Sequence, residues 1–571
     1  MATNSTRSSS GKKARARAQA IPVRDQEAPV SEAIPENVWR IGIIIIFLIA
    51  AGLRLYDLNL VPLHHDEGVN GNFLVRLVRE GYYQYDPDNY HGPTLYYFSA
   101  LIPWAVKLLF GSAARDNYGL TTVNIRLVTA LFGLATIALV FMLRRRLGTV
   151  ATLAAAFMLA VSPGAVYLSR YFIHESLFVF FTLGIVVAGV KLYDERNASY
   201  LIPGAASAAL LFATKETAFI SAGVLLIALA LTFLYMWYTG KASPSSARRR
   251  QRESSASSRA GDKLRQTIDE MGGKTAVAYN LGLAVVVFWA LYLLFYSSFL
   301  TNNKGISDSF HTFTTWSKTS SQAHVHSATT YFFWLFREEA SLLFLGLLGA
   351  GIIVLKLRNS LALFSALWAF GLIAAYSLIG YKTPWLMLSF LVPLALISGY
   401  AIQAIYQADH GQLRLVALIF LAAIGLATYQ SIDLNFINYD NDNEKYVYVY
   451  AHSTRGLLDL VHQVEQIANE NAGEKTGISI VSPDYWPLPW YFRNFKGVGY
   501  FGRMAATSEP IIIANENQQE EVERNFGELY RQVQSKSEGG TFQLRPGVKL
   551  VLYVRRSGFL PQTNPPSIQN P

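Results

Sequence analysis

The stretch VWRIGIIIIFLIAAGLRLY–DLNLVPLHHDEG, residues 38–68, decides the fold. Its first part, Val38 to Tyr56, is apolar over the length a helix needs to cross about 30 Å of hydrocarbon. Its second part brings His64, His65, Asp66 and Glu67 in directly behind that span. Ionisable groups at membrane depth cost about 2.5 to 3.5 kcal/mol each on insertion scales, so they mark working sites. The cluster reads as the acid/base centre of a membrane-embedded enzyme.

Composition agrees. Of 571 residues, 51% are hydrophobic and 15% charged, and further apolar runs of spanning length recur along the chain. The expected class is a polytopic α-helical membrane protein. Cysteine is absent, which excludes disulfides, thiolate metal sites and a cysteine nucleophile. The net charge of +10 comes largely from Arg7, Lys12, Lys13, Arg15, Arg17 and Arg24 ahead of the first span and from Lys241 to Lys274, including Arg248, Arg249, Arg250 and Arg252. Both blocks read as positive-inside signals, not as a nucleic-acid surface. Residues 1–37 are expected to be a disordered, basic cytoplasmic tail.

From a cytoplasmic N-terminus, spans are expected at Val38–Tyr56, Ile125–Leu143, Val150–Tyr167, Leu177–Leu192, Leu201–Ala213, Ala218–Trp237, Ala276–Leu300, Leu342–Leu355, Leu361–Ile379, Trp385–Ile402 and Leu413–Gln430. That is about eleven crossings of the length a bilayer requires. Thr94–Phe110 is laid along the outer surface, because counting it as a span would put Arg144, Arg145 and Arg146 outside. Residues 38–432 then form the transmembrane domain, with a first outer loop at 57–124, a basic cytoplasmic loop at 239–275 and an outer flap loop at 301–330. The odd number of crossings places residues 433–571 outside. There Gly477–Val481, Pro510–Ala514 and Val548–Val554 read as strands, and Arg455–Asn469 and Asn517–Val533 as helices, so a small extracytoplasmic α/β domain is expected.

This topology gathers ionisable residues at the outer helix ends: Asp66, Glu67 and His91; Arg170, His174 and Glu175; Lys215 and Glu216; Arg337, Glu338 and Glu339; and Lys382. Convergence on one level implies pairing around a water-accessible cavity. The plain alternatives are that Arg170 and Glu175 pair to pack two helices and that Lys215 and Glu216 are merely structural. Trp486, Trp490 and Tyr491 either stack on sugar rings or, the favoured reading, close the small domain's core or dock it onto the membrane part.

A family resemblance emerges at these residues. The Asp66-Glu67 pair, then His91-Gly-Pro-Thr-Leu-Tyr-Tyr97, then Asn124-Ile-Arg-Leu127, and later Tyr381-Lys-Thr-Pro-Trp385, resemble the protein O-mannosyltransferase order of the C-type glycosyltransferase superfamily. More closely, His64–Gly68, Ser169–Arg170, Phe172–Glu175, Ala213–Glu216 and Trp486–Tyr491 are similar to a prokaryotic family of flippase-activity-associated proteins linked to archaeal-type protein glycosylation.

The superfamily resemblance implies an inverting transfer of a sugar from a polyprenyl-phosphate donor at the outer face of the plasma membrane, onto a glycan, lipid or protein acceptor. It implies Asp66 as the base with Glu67 beside it, and Arg170, Lys382 and Lys215 as cations on the departing phosphate. His65, His91, His174, Glu175 and Glu216 would orient the acceptor. No metal is required on this reading; Mg or Mn held by Asp66, Glu67 and Glu175 is the alternative. A non-catalytic partner of a lipid-linked oligosaccharide flippase is the competing function. An ion-coupled transporter fits less well, since the charges sit at helix ends and no paired Gly/Pro-interrupted spans are present.

Overall fold

The computed structural model describes residues 34–88, 91–242, 265–319, 326–355, 359–408, 413–443, 445–535 and 538–556. Most of the basic tail and of the Ser/Arg-rich segment therefore lies outside the described residues.

Among the described residues, eight helices are long and apolar enough to cross a bilayer, or ten if two sharply bent pairs each count as one. The helices of the bundle are α1 (Glu36–Leu55), α2 (His65–Glu80), α3 (Thr94–Phe110), α4 (Thr122–Phe141), α5 (Thr149–Val161), α6 (Pro163–Ser169), α7 (Glu175–Glu195) and α8 (Leu201–Phe212). They continue with α9 (Ala218–Ala242), α10 (Gly273–Tyr296), α11 (Lys304–Thr319), α12 (Thr330–Glu338), α13 (Ala340–Leu355), α14 (Ser360–Leu378), α15 (Leu388–Ala408) and α16 (Leu413–Ile432). Helix α8, of 12 residues, and α3, of 17, are apolar but shorter than these eight. About eleven crossings are expected from the sequence, against these eight to ten candidates.

The ends differ chemically. At one end Arg144 pairs with Glu36 at 2.8 Å, Arg146 with Asp194 at 2.5 Å and Arg196 with Glu270 at 3.6 Å. At the other end lie α2, α3 and the C-terminal domain. Helix α3 starts there, where Gly92 and Thr94 donate backbone hydrogen bonds to the Thr214 and Ala213 carbonyls. The chain is back at the same end at Arg115–Asp116, where Asp116 meets Arg79 of α2. The start of α3 and the segment that follows it thus both meet residues of this end.

Backbone breaks shape this end. Pro163 cannot donate to the Leu159 carbonyl, and α5 and α6 meet at 60°. Arg54 of α1 takes up the freed acceptors, donating to the Leu159 and Ala160 carbonyls at 2.9 Å each. A second break, of 113° at Glu339, turns α12 away from α13. Residues 301–330, expected to be a loop, instead contain helix α11; a strongly amphipathic pattern of buried Asp308, Ser309 and Thr312 against exposed Phe310 and His311 accounts for it.

The C-terminal domain holds a mixed sheet of β1 (Ile478–Ile480), β2 (Val498–Tyr500), β3 (Ile511–Asn515), β4 (Tyr530–Val533), β5 (Phe542–Arg545) and β6 (Val548–Arg555), in the order β2-β1-β3-β6-β4 with β5 also on β6. β1 runs parallel to β2 and β3, while β3, β4 and β5 run antiparallel to β6. Alternation buries both faces: Ile478, Ile480, Ile511, Ile513, Leu550 and Leu552 pack under α17 (Arg455–Glu470), and Ile512, Ala514, Val551 and Tyr553 pack with Val522 of α18 (Gln519–Phe526). The expected helix Asn517–Val533 stops at Phe526, and Tyr530–Val533 pairs as a strand with β6 because Tyr530 is needed in that second core.

This domain is bolted to the first loop. Tyr491 accepts a hydrogen bond at its hydroxyl from the Leu63 amide at 2.9 Å, and Trp490 donates to Thr122 at 3.2 Å. Gly71 faces the Trp490 ring, where a Cβ would come within 2.6 Å of ring carbon. Trp490 and Tyr491 are therefore docking residues.

Candidate active site

The loop Asp57–His64 must present Asp66 at a helix start, and one buried ion pair fixes it. Arg126 of α4 grips Glu67 with two hydrogen bonds, at 2.8 and 2.6 Å, and donates to the Leu58 and Val61 carbonyls at 2.8 Å each. Glu67 also accepts from the His64 and Phe172 amides at 3.0 and 2.8 Å. His64 caps α2: its Nδ1 accepts from the Asp66 amide at 3.0 Å while Nε2 donates to the Tyr450 carbonyl at 3.2 Å. The outcome is one carboxylate locked inside and its neighbour, Asp66, 43% exposed at the mouth of a cavity.

That cavity measures about 570 Å³. Asp66, His65, Val69 and Asn70 of α2 form one wall, with Asp88 and His91 from the loop that follows. Glu175, Lys215, Glu216 and Thr217 form the floor, and Tyr376, Ile379, Tyr381, Trp385 and Leu386 a largely apolar side. The last wall comes from far along the sequence: Tyr450 and Ala451 of the linker, and Arg545 of β5.

Lys215 is the cation of the floor. Its ammonium donates to Glu175 at 2.5 Å. Burial alone would lower its pKa, yet Glu175 and Glu216 outweigh that and raise it above the ordinary lysine value, so it stays charged. Glu216 in turn accepts from His91 Nδ1 at 3.0 Å, and the His91 and Lys215 backbones pair across the same gap. His65 is half-buried; burial depresses its pKa and favours the neutral ring. Arg545 donates to Asp484 at 2.5 Å, whose other oxygen accepts from Asn515 at 3.4 Å.

Asp66, His65, His91, Glu175, Lys215 and Glu216 are thus brought together, and four other expected site residues are not among the cavity's lining. Glu67 is turned inward to Arg126. Arg170 does not pair with Glu175: its guanidinium donates to the Leu53, Tyr56 and Asp57 carbonyls at 3.2, 2.5 and 2.9 Å, closing the C-terminus of α1. Lys382 does the same for α14 through the Ser377 and Ile379 carbonyls, the former at 3.1 Å. His174 lies behind the wall, donating from Nε2 to the Gly92 carbonyl at 3.0 Å. Glu338 and Glu339 anchor the linker: Glu338 accepts from the Val447 amide at 2.6 Å, and Glu339 from the Gly164 amide at 2.7 Å and from Ser162 at 2.9 and 3.0 Å. Sequence reasoning missed Asp88, Tyr376, Tyr450 and Arg545; no local signal marks Arg545.

Among the described residues no group of three or more His, Asp or Glu side chains could hold a metal ion. Lys215 instead supplies positive charge between Glu175 and Glu216, where Asp66, Glu67 and Glu175 were the alternative expectation.

Comparison with known proteins places the fold. The family model described as dolichyl-phosphate-mannose-protein mannosyltransferase matches residues 101–242. No curated protein sequence matches the chain. Among solved structures, ArnT from Cupriavidus metallidurans bound to undecaprenyl phosphate is 13% identical with a TM-score of 0.58, covering 91% of this chain and 98% of that one. The apo state of ArnT gives 0.55 at 12% identity, over 90% and 97%. The oligosaccharyltransferase AglB from Archaeoglobus fulgidus, in complex with an inhibitory peptide and a dolichol-phosphate, gives 0.51 at 13% identity, over 92% and 75%. The chain is a multi-pass membrane protein with the C-type glycosyltransferase fold that ArnT and AglB share.

Proposed function

We propose that this protein is an inverting glycosyltransferase that moves a sugar from a polyprenyl-phosphate donor to an acceptor at the outer face of the plasma membrane. The observation that carries the reading is a single cavity in which a half-exposed carboxylate, Asp66, shares its walls with a buried, charged lysine, Lys215, and an apolar side. Sidedness is supported by the basic ion-pair end lying opposite the cavity, with the N-terminus and that end cytoplasmic.

Ile379, Trp385 and Leu386 would take the first units of the carrier chain, and Lys215 the phosphate. An ammonium has three N–H donors and Glu175 takes one, leaving donors for phosphate oxygens. As the acceptor hydroxyl attacks the anomeric carbon, its proton passes to Asp66. The new glycosidic bond forms as the bond from the anomeric carbon to the phosphate oxygen breaks, and the electron pair leaves with the phosphate. Lys215 stabilises the charge that grows there, Glu216 and His91 hold the floor in place, and Asp66 contributes about 10²- to 10⁴-fold as a general base.

The test is release of polyprenyl phosphate from a panel of polyprenyl-phosphate sugars, with chelator present, by wild type and Asp66→Asn in liposomes. Turnover by wild type alone supports the enzyme. No turnover even after metal is restored and a cell extract supplies acceptors, with carrier binding equal in both, overturns it in favour of a flippase partner.

A further inference from the structure

The cavity opens between two unlike walls, and the one contributed by the C-terminal domain does not fit a lipid. Beside His65 lies the ring of Trp486, with centroids 6.1 Å apart. Tyr485 follows at 5.6 Å from Trp486, and Tyr500 of β2 at 5.3 Å from Tyr485. All three are half-buried, Tyr485 and Tyr500 packing in part against the domain's core, whereas Trp490, four residues on, is sealed into the membrane-domain core. The row starts beside His65, which lines the cavity, and continues to Tyr500 of β2.

A polar edge accompanies it. Asp484, immediately before Tyr485, is bonded to Arg545, which lines the cavity, and to Asn515. Aromatic faces beside a fixed carboxylate, guanidinium and amide match the two surfaces of a pyranose: C–H groups on a ring face and hydroxyls around the edge.

We propose that this wall is the acceptor subsite and that the acceptor is a saccharide, seated on Trp486 with its hydroxyls at Asp484 and Arg545 and extending outward over Tyr485 and Tyr500. The proposal rests on the transferase reading for its function, and on the aromatic row alone for its ligand. The donor, being a lipid, arrives at the apolar side by Trp385 and Leu386, which leaves the domain wall for the partner that comes from water. One way to hold a peptide is to add it to an open sheet edge, and the outer strands here are short, β2 with three residues and β4 and β5 with four each.

Saturation-transfer NMR on the full chain in lipid nanodiscs tests this, with manno-, gluco- and chito-tetrasaccharides and a Ser/Thr-containing decapeptide as probes. Wild type should saturate at least one tetrasaccharide. Trp486→Leu should weaken that signal at least tenfold, Trp486→Phe should restore it to within about threefold by keeping a ring, and Asp66→Asn should retain it. No saccharide signal with wild type, equal signals from wild type and Trp486→Leu, or binding of the peptide alone would each overturn the proposal; the wild-type result stands even if Trp486→Leu fails to fold. Saccharide binding that depends on Trp486 without donor consumption keeps the subsite and overturns the transferase reading instead.

Discussion

Asp66 and Glu67 are chemically alike and adjacent, yet their surroundings assign them opposite fates on substitution. Glu67 is 0% exposed and accepts from Arg126 Nε and Nη2 and from the His64 and Phe172 amides. Replacing it by Gln offers one carbonyl oxygen and one NH₂. Whichever way the amide turns, the NH₂ faces two donors, either Arg126 Nη2 with the His64 amide or Arg126 Nε with the Phe172 amide. Breaking one side of a buried pair costs about 3–5 kcal/mol, because a buried charge is left uncompensated. Glu67→Gln should therefore lower unfolding stability in detergent by about that amount. Asp66→Asn, at a half-exposed site, should stay within about 0.5 kcal/mol of wild type while reducing turnover about 10²- to 10⁴-fold. Adding Arg126→Met to Glu67→Gln should recover part of the loss, since the unpaired guanidinium is gone. The readouts are a denaturant titration followed by tryptophan fluorescence and polyprenyl phosphate release on the same preparations. Wild-type stability in Glu67→Gln, or a large stability loss in Asp66→Asn, would refute the division of labour.

Other outcomes follow from the same geometry. Gly68→Ala would drive a Cβ to 2.7 Å from the Pro487 backbone, and backbone cannot give way as a side-chain tip does; we expect a cost of about 1–3 kcal/mol and faster proteolytic release of the C-terminal domain. Arg170→Gln and Lys382→Gln remove helix-end caps and should lower thermal stability while leaving the donor KM within about twofold; a rise of tenfold or more would restore them as phosphate ligands. His452 is pulled to about 3 by burial, with further repulsion from His64. Its folded pKa lies below the unfolded value, so the unfolded chain binds the extra proton: this contribution is intact above pH ~6.5 and is lost as pH falls, at up to about 1.4 kcal/mol per unit. Thermal unfolding of His452→Gln should accordingly lose less stability between pH 7 and pH 5 than wild type does.

The bundle was legible in the sequence because each helix announces itself locally, by a run of apolar residues between charged or proline-containing ends. The same locality explains the misses. Arg170, Lys382 and Asp66 look equivalent on paper, as polar residues at helix ends. Which becomes a cap and which faces a cavity depends on where the next helix leaves its unpaired carbonyls, and that is a tertiary fact. Lys215 does line the cavity, but its ion pair is with Glu175, which the sequence pattern had set against Arg170. Arg545 could not be read at all, because its place in the cavity follows from docking a domain hundreds of residues downstream of Asp66. Helix α11 was hidden for another reason: its polar face satisfies neighbouring side chains, as Thr312 does for Tyr85, so its pattern resembles a Ser/Thr-rich loop.

The docking of Tyr491 onto Leu63 and of Trp490 onto Gly71 and Thr122 also orders events during synthesis. A chain emerging at about 5–20 residues per second completes all its long apolar helices well before Trp490 exists. Until then the loop bearing Asp66 lacks one of its supports, and the wall with Tyr450 and Arg545 has not been made. A ribosome-bound or prematurely terminated chain would thus hold its long apolar helices with the cavity still lacking one wall, so whatever chemistry the cavity performs can begin only after the C-terminal domain has docked.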